Sequence, residues 1–133
     1  MDSLSRIEEI GFRRVGRWTL VAGKAVFNLD AAASAQKVLY AFVTGRDVLY
    51  VGKTTLALKR RMYGYQQPGP TQRTNIAGHA KISELLASQR SVDIYALLEG
   101  APLHHGAFQI NLAAGLEDSL VHELQPPWNK VGK

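Results

Sequence analysis

The sequence predicts a mixed α+β fold in which a short antiparallel β-sheet is flanked by helices. Two observations predict it: apolar segments of strand length joined by short turns, and separate segments whose apolar residues recur at helical spacing. Hydrophobic residues make up 46% of the 133-residue chain, which is usual for a folded globular protein. A chain of this length can bury a core of its own, so we expect one domain over residues 1–133.

The first third of the chain predicts a helix followed by a β-hairpin. Residues 3–10 carry apolar residues at helical spacing, and Gly11 ends this helix. Residues 14–21 and 24–29 are predicted to be two strands joined by a two-residue turn. We expect them to lie against the main sheet, as part of an N-terminal extension over residues 1–36. No combination of side chains in this extension indicates a reaction.

Two strongly apolar strands are predicted next, over residues 37–43 and 48–51, and they contain Tyr40 and Tyr50. The length of the turn between them decides where the tyrosines point, because side chains alternate between the two faces of a strand. A two-residue turn would place Tyr50 opposite Ala41, on the other face from Tyr40. A turn of odd length would place both tyrosines on one face. The sequence leaves both arrangements open.

The segment from Tyr50 to Tyr65 combines phenols and cations in one strand–turn–helix unit. The strand is expected to break at Gly52. The short helix that follows carries Lys59, Arg60 and Arg61. Such a set suits a phosphate group, because a tyrosine can relay a proton and cations neutralise developing negative charge.

The tripeptide Gly52-Lys53-Thr54 looks like the end of a nucleotide-binding P-loop. That motif needs a glycine five positions before its GK pair, and Asp47 stands at this position. The nest of backbone amides that holds a nucleotide phosphate cannot be built there in the usual way. A P-loop is therefore not expected.

The rest of the chain is predicted to begin with a polar loop over residues 66–75, a helix over residues 76–88 and a strand over residues 92–98. An irregular stretch over residues 99–110 and a last helix over residues 112–124 follow. The polar loop carries Arg73 and Thr74 and suits either a nucleic-acid backbone or a solvated connection. Asn111 is expected to cap the last helix, which the following prolines end.

Two glutamates fall within the apolar arc of the last helix. At ~100° per residue, Glu117 and Glu123 both lie among its leucines and valine, whereas Asp118 and His122 point outward. A carboxylate on a buried face costs free energy unless it is paired or binds a metal. Periodicity alone does not choose between the two glutamates, and a structural salt bridge is an alternative for either one.

Composition and charge narrow the class of protein. No apolar run approaches the ~20 residues of a membrane span, and residues 1–3 do not begin a secretory signal. With no cysteine we expect neither disulfides nor thiolate metal sites, and a cytoplasmic location. The adjacent His104 and His105 lack the spacing of zinc ligands. A net charge of +5 favours a polyanionic partner.

Several of these residues, taken in order, resemble the motifs of the GIY-YIG nucleases. Val38-Leu39-Tyr40 stands where the first tripeptide of the family lies and keeps only its tyrosine, and Tyr50-Val51-Gly52 matches the second closely. Leu58, Arg61 and Tyr65 fit the next pattern, an apolar residue, an arginine three later and a tyrosine or histidine four beyond. The resemblance covers about residues 37–130, and the polar loop is similar to that of restriction-type members.

The family then has a glutamate on a helix and, a dozen or more residues later, an asparagine. Glu117 and Asn129 are twelve residues apart, whereas Glu123 and Asn129 are only six apart, so the resemblance favours Glu117. Counted without gaps from Tyr50, the family arginine would be Arg60. One extra residue in the turn makes it Arg61, which we favour because turns tolerate insertions.

The resemblance implies hydrolysis of phosphodiester bonds in DNA with one divalent ion, Mg²⁺ or Mn²⁺, held by Glu117. It assigns catalytic roles to Tyr40, Tyr50, Lys53, Arg61, Tyr65, Glu117 and Asn129. Contacts with DNA are expected from Lys59, Arg60, Arg73 and Thr74. Tyr50 or Tyr40 would act as the general base or position the water, and Lys53 is a candidate for lowering the pKa of Tyr50.

Two other functions remain open at this stage. The divergent first tripeptide is compatible with a nucleic-acid-binding module that has kept the fold and lost cleavage. If the motif matches arose by chance, the chain is a small basic interaction protein. For a nuclease, a homodimer is one route to cutting both DNA strands.

Overall fold

We analysed the protein in a computed structural model that describes residues 2–98, 103–110 and 112–129. The helices and strands of these residues are α1 (Ser3–Glu9), β1 (Arg13–Val21), β2 (Lys24–Leu29), β3 (Val38–Thr44), β4 (Asp47–Thr54), α2 (Leu58–Gln66), α3 (Arg73–Ala87), β5 (Val92–Leu97), β6 (Leu103–His105), β7 (Phe108–Ile110) and α4 (Leu112–Leu124). None of the helices in these ranges has the length and apolarity to cross a membrane.

The predicted α+β fold with an antiparallel sheet flanked by helices is confirmed. Five strands form one sheet in the order β2-β1-β5-β3-β4, and every neighbouring pair is antiparallel. The N-terminal hairpin does not lie against this sheet; it continues the sheet, because β1 pairs with β5. Strands β6 and β7 pair only with each other, in a separate hairpin.

Strand β3 lies at the centre of the fold, and all seven of its residues are buried. Its side chains alternate between two apolar clusters, one on each face of the sheet. Tyr40 and Phe42 belong to the cluster that includes residues of α2 and α3. Leu39 and Ala41 belong to the cluster that is covered by α1 and α4. We call these the α2 face and the α4 face of the sheet.

The turn between β3 and β4 has two residues, yet Tyr40 and Tyr50 share a face. Thr44 pairs with Asp47, as a two-residue turn requires, but Tyr50 then pairs with Phe42. A β-bulge explains the difference, because Leu49 is an extra residue on β4 and shifts the register by one. Tyr50 therefore has the orientation that the odd-length turn predicted, on the α2 face.

The prediction that the strand breaks at Gly52 is wrong. Strand β4 continues to Thr54, and Gly52 pairs with Tyr40 across the ladder. A Cβ atom at Gly52 would lie 2.7 Å from the Tyr40 hydroxyl oxygen and 2.8 Å from Cε2 of Tyr50. The glycine therefore serves close packing within a strand, and it does not mark a turn.

Other boundaries differ from the predictions in the connecting segments. Helix α3 begins at Arg73, so Arg73 and Thr74 lie in its first turn and not in the preceding loop. This turn forms because the Ile76 amide donates to the Gln72 carbonyl at 2.9 Å. The stretch 99–110 was expected to be irregular but contains the β6–β7 hairpin. The expected cap at residue 111 lies outside the described residues.

Replacing Gly52 by alanine should destabilise the protein. The added methyl group meets two aromatic rings, and overpacking of this kind costs typically about 1–3 kcal/mol of unfolding free energy. The matched control is Gly115→Ala in α4, where a Cβ meets nothing within 4 Å. That change should be neutral or stabilise by up to ~1 kcal/mol, through helix propensity. Urea denaturation measures both variants; equal midpoints would contradict the packing role of Gly52.

Candidate active site

Three tyrosines meet on the α2 face of the sheet. Tyr40 comes from β3, Tyr50 from β4 and Tyr65 from the last turn of α2. Their ring centroids lie 6.1–6.4 Å apart, and the hydroxyl groups of Tyr40 and Tyr65 are 2.7 Å apart, within hydrogen-bonding distance. Tyr40 and Tyr65 are buried, whereas Tyr50 is only half-buried.

The guanidinium group of Arg61 extends this cluster. Its Nη2 donates to the Tyr65 hydroxyl at 2.9 Å, and its Cζ lies 4.3 Å from the centroid of the Tyr65 ring. Its Nη1 donates to Oδ1 of Asn75 at 2.7 Å. Within the described ranges Arg61 makes no salt bridge, so its charge is not neutralised by a carboxylate.

Helical geometry brings Arg61 into the cluster and keeps Arg60 out. Leu58, Met62 and Tyr65 form the buried side of α2, and Arg61 lies one turn before Tyr65. Arg60 is rotated by about 100° and is exposed, beside an open surface groove that Lys59 also lines. The structure thus places the arginine of the gapped register next to the tyrosines.

Burial separates the tyrosines chemically. Desolvation raises the pKa of the Tyr40 hydroxyl and that of the Tyr65 hydroxyl well above the ordinary value. Both therefore remain neutral phenols at neutral pH. Tyr50, by contrast, borders a cavity that also touches Tyr65 and Asn129. Of the two tyrosines that line this cavity, Tyr50 is the more exposed.

Lys53 and Glu117 meet on the other side of β4. Lys53 pairs with Leu39, so it belongs to the α4 face, opposite to Tyr50. Its ammonium lies 3.7 Å from the Glu117 carboxylate of α4. Partial burial raises the pKa of Glu117, and the Lys53 charge opposes this shift. Glu123 is exposed, with its carboxylate 3.9 Å from the Arg6 guanidinium.

Asn129 binds the backbone of the outermost strand. Its Oδ1 accepts from the Val51 amide at 3.0 Å, and its Nδ2 donates to the Val51 carbonyl at 2.9 Å. The amide of Trp128 donates to the Leu49 carbonyl at 2.8 Å. The segment after α4 is thus fixed along β4, next to the position of Tyr50.

A chain of side-chain amides holds Arg61 from the side of α3. Asn75 accepts from Arg61 and donates to Oε1 of Gln72 at 3.0 Å, which also accepts from the Gly69 amide at 2.8 Å. Gly64 makes room for this contact, because a Cβ there would lie 3.1 Å from Nδ2 of Asn75. Sequence analysis missed Asn75 and Gln72. The available signal was their separation by three residues at the start of a helix, which lets the two side chains meet.

The four residues expected to contact DNA are divided by the fold. Lys59 and Arg60 lie on the exposed side of α2, and Arg73 is exposed at the start of α3. Thr74 lines the cavity beside Tyr50. Lys59 and Arg60 thus line a different pocket from Thr74.

The solved structures that are similar to this chain include the following two. A mutant of bacteriophage T4 EndoII aligns with a TM-score of 0.73 at 20% sequence identity, over 97% of this chain and 98% of that one. The fold is shared. Restriction endonuclease HPY188I in complex with product DNA aligns with a TM-score of 0.58 at 15% identity, over 92% of this chain and 78% of that one. No protein-family model and no curated protein matches the sequence.

Replacing Asn129 by alanine should loosen strand β4. The change leaves the Val51 amide and carbonyl without their partners, which costs about 1–3 kcal/mol of unfolding free energy. Asn28→Ala, on the exposed side of β2, is the control and should stay within about 0.5 kcal/mol. Hydrogen exchange of the Val51 amide should accelerate in Asn129→Ala. An unchanged exchange rate would contradict this role of Asn129.

Proposed function

We propose that this protein is a metal-dependent endonuclease that hydrolyses phosphodiester bonds in DNA through a GIY-YIG-type site. The order of the motif residues along the chain supports the proposal. So does the fold that it shares with a restriction endonuclease bound to product DNA. The net charge of +5 is favourable for a DNA-binding protein.

The observation that carries the proposal is the position of Arg61. A half-buried guanidinium without a carboxylate partner in the described ranges is costly unless an anion completes the site. Tyr65 and Asn75 use one N–H of each terminal nitrogen and fix the plane of the group. The remaining N–H groups are available to a phosphate, whose transition-state charge a fixed guanidinium stabilises.

Among the tyrosines, we assign the role nearest the reacting water to Tyr50. Its half-exposed side chain borders the cavity, so its hydroxyl group can position a water there or accept a proton from that water. Tyr40 and Tyr65 stay protonated, because burial raises the pKa of each hydroxyl. They orient Arg61 and the ring of Tyr50, and they do not accept the proton.

The residues present fit a single Mg²⁺ or Mn²⁺ ion at Glu117. No group of three or more acidic or histidine side chains able to hold a metal is found among residues 2–98, 103–110 and 112–129. Mg²⁺ usually binds one or two carboxylates together with waters and substrate phosphates, so one half-buried glutamate suits it. When bound, the ion would supply further charge stabilisation to the transition state. The Lys53 ammonium lies 3.7 Å from the Glu117 carboxylate and would partly offset its charge.

Incubation with plasmid DNA tests the proposal. With Mg²⁺ the protein should nick or linearise supercoiled plasmid, and with EDTA it should not. A gel shift without cleavage under both conditions would indicate a DNA-binding module of the same fold. Absence of both cleavage and binding would reject a role in DNA chemistry.

Arg61→Ala should reduce turnover on the order of a hundredfold or more, as expected for loss of a group that stabilises the transition state. Arg60→Ala, the matched control, removes an exposed cation of the same helix and should mainly weaken binding. Turnover at saturating DNA separates the two effects. A larger loss of turnover for Arg60→Ala would show that the ungapped register is the correct one.

Glu117→Ala should abolish cleavage and leave DNA affinity within a few-fold of the unsubstituted protein, because it removes the metal ligand and no basic side chain. Glu123→Ala removes an exposed glutamate of the same helix and should keep most of the activity. The measurements are plasmid cleavage with Mg²⁺ and a gel shift in EDTA. An inactive Glu123→Ala beside an active Glu117→Ala would place the metal elsewhere.

A further inference from the structure

A cavity of about 200 Å³ opens beside Tyr50 and Tyr65, and the role proposed for Tyr50 leaves most of its lining without a function. One wall is a single face of α3, formed by Thr74, Ala77, Gly78 and Lys81. Ala77, Gly78 and Lys81 follow Thr74 by three, four and seven residues, so all four lie on one face of the helix. Trp128 lies on another wall.

The small residues of α3 keep this cavity open. Gly78 packs against Tyr65 so closely that a Cβ would lie 2.7 Å from two atoms of the ring. Helix α3 thus approaches the tyrosine cluster at Gly78, and the short side chain of Ala77 leaves space beside it. The walls contributed by Tyr50, Tyr65 and Trp128 are aromatic, and flat aromatic groups suit a nucleobase.

The charge of the cavity comes from Lys81. This lysine is half-buried, and no salt bridge within the described part of the chain involves it. An ammonium on the wall of a cavity, with no carboxylate partner among the described residues, favours an anionic ligand. Thr74, about two turns before Lys81 on the same face of α3, adds a hydroxyl that can donate to the same anion.

We propose that this cavity binds one nucleotide of the DNA strand, with its phosphate at Lys81 and Thr74 and its base against Trp128. The inference rests on the proposed function, since DNA is the source of the nucleotide. It assigns Lys81 and Trp128 to substrate binding next to Tyr50. Arg61 and Glu117 remain the residues that act on the phosphate that is cut.

The salt dependence of binding tests the phosphate contact. On duplex DNA in EDTA, Lys81→Met should reduce the slope of log affinity against log salt concentration by about 0.9, the effect of one lost phosphate contact. Methionine keeps the apolar stem of the half-buried lysine. Lys81→Arg should retain the slope, and the control Lys24→Met, at the exposed start of β2, should not change it. An unchanged slope in Lys81→Met would overturn the proposal.

Tryptophan fluorescence tests the base contact without any change at Lys81. Trp18 is buried in the core at 2% exposure, so quenching by DNA reports on Trp128. Saturating DNA should quench the protein, and Trp128→Phe should remove the effect. Binding of DNA without quenching would overturn the proposal. Inorganic phosphate at constant ionic strength should leave the fluorescence unchanged; quenching equal to that by DNA would indicate a free-anion site and also overturn it.

These results are distinguishable from failure of the proposed function. Both measurements are made in EDTA and need no cleavage. If plasmid is never cut while the salt effect and the quenching are observed, the nucleotide site stands and the nuclease assignment fails. If plasmid is cut while neither effect is observed, the nuclease assignment stands and the nucleotide site fails.

Discussion

The site depends on the hydroxyl group of Tyr65. This one buried atom accepts a hydrogen bond from Arg61 and lies within hydrogen-bonding distance of the Tyr40 hydroxyl. It therefore joins helix α2 to the fully buried strand β3 through the buried hydroxyl groups of Tyr65 and Tyr40. Losing one partner of such a buried chain leaves the others unsatisfied, which costs more than the bond itself contributes. The position of the guanidinium is consequently tied to the packing of the core.

Strand β4 is shared by two groups of side chains that face in opposite directions. Tyr50 points to the α2 face with Arg61 and Tyr65, while Lys53 points to the α4 face with Glu117. Because β4 is the outermost strand on this side of the sheet, no further strand of the described chain separates the two groups. The edge between them is occupied by Trp128 and Asn129, which bind the backbone of Leu49 and Val51. The β-bulge at Leu49 turns Tyr50 towards Tyr40, on the face opposite to Lys53.

Sequence analysis predicted the strands and helices well where hydrophobic periodicity is strong. The bounds of β2 and α4 are as predicted. The choice of Arg61 over Arg60 as the catalytic arginine stays a prediction, and in the structure Arg61 donates to Tyr65. What it missed depends on tertiary contacts. The local sequence predicts a break of the strand at Gly52. It does not show that the Tyr40 ring occupies the space in which a side chain at position 52 would lie. Likewise, only the packed structure places Asn75 beside Arg61 and leaves Lys81 on the wall of a cavity.

Each of the two outer strands of the five-stranded sheet has a backbone group bound by a side-chain amide. On β4 the Asn129 amide occupies both backbone groups of Val51, and on β2 the Gln66 Oε1 accepts from the Phe27 amide at 3.2 Å. Exposed strand edges are templates for pairing with another chain, and proteins commonly block them with charged residues or proline. At Val51 and Phe27, side-chain amides instead bind backbone groups that a neighbouring strand would otherwise bind. Asn129 therefore blocks the extension of the sheet by a second copy across β4 at Val51.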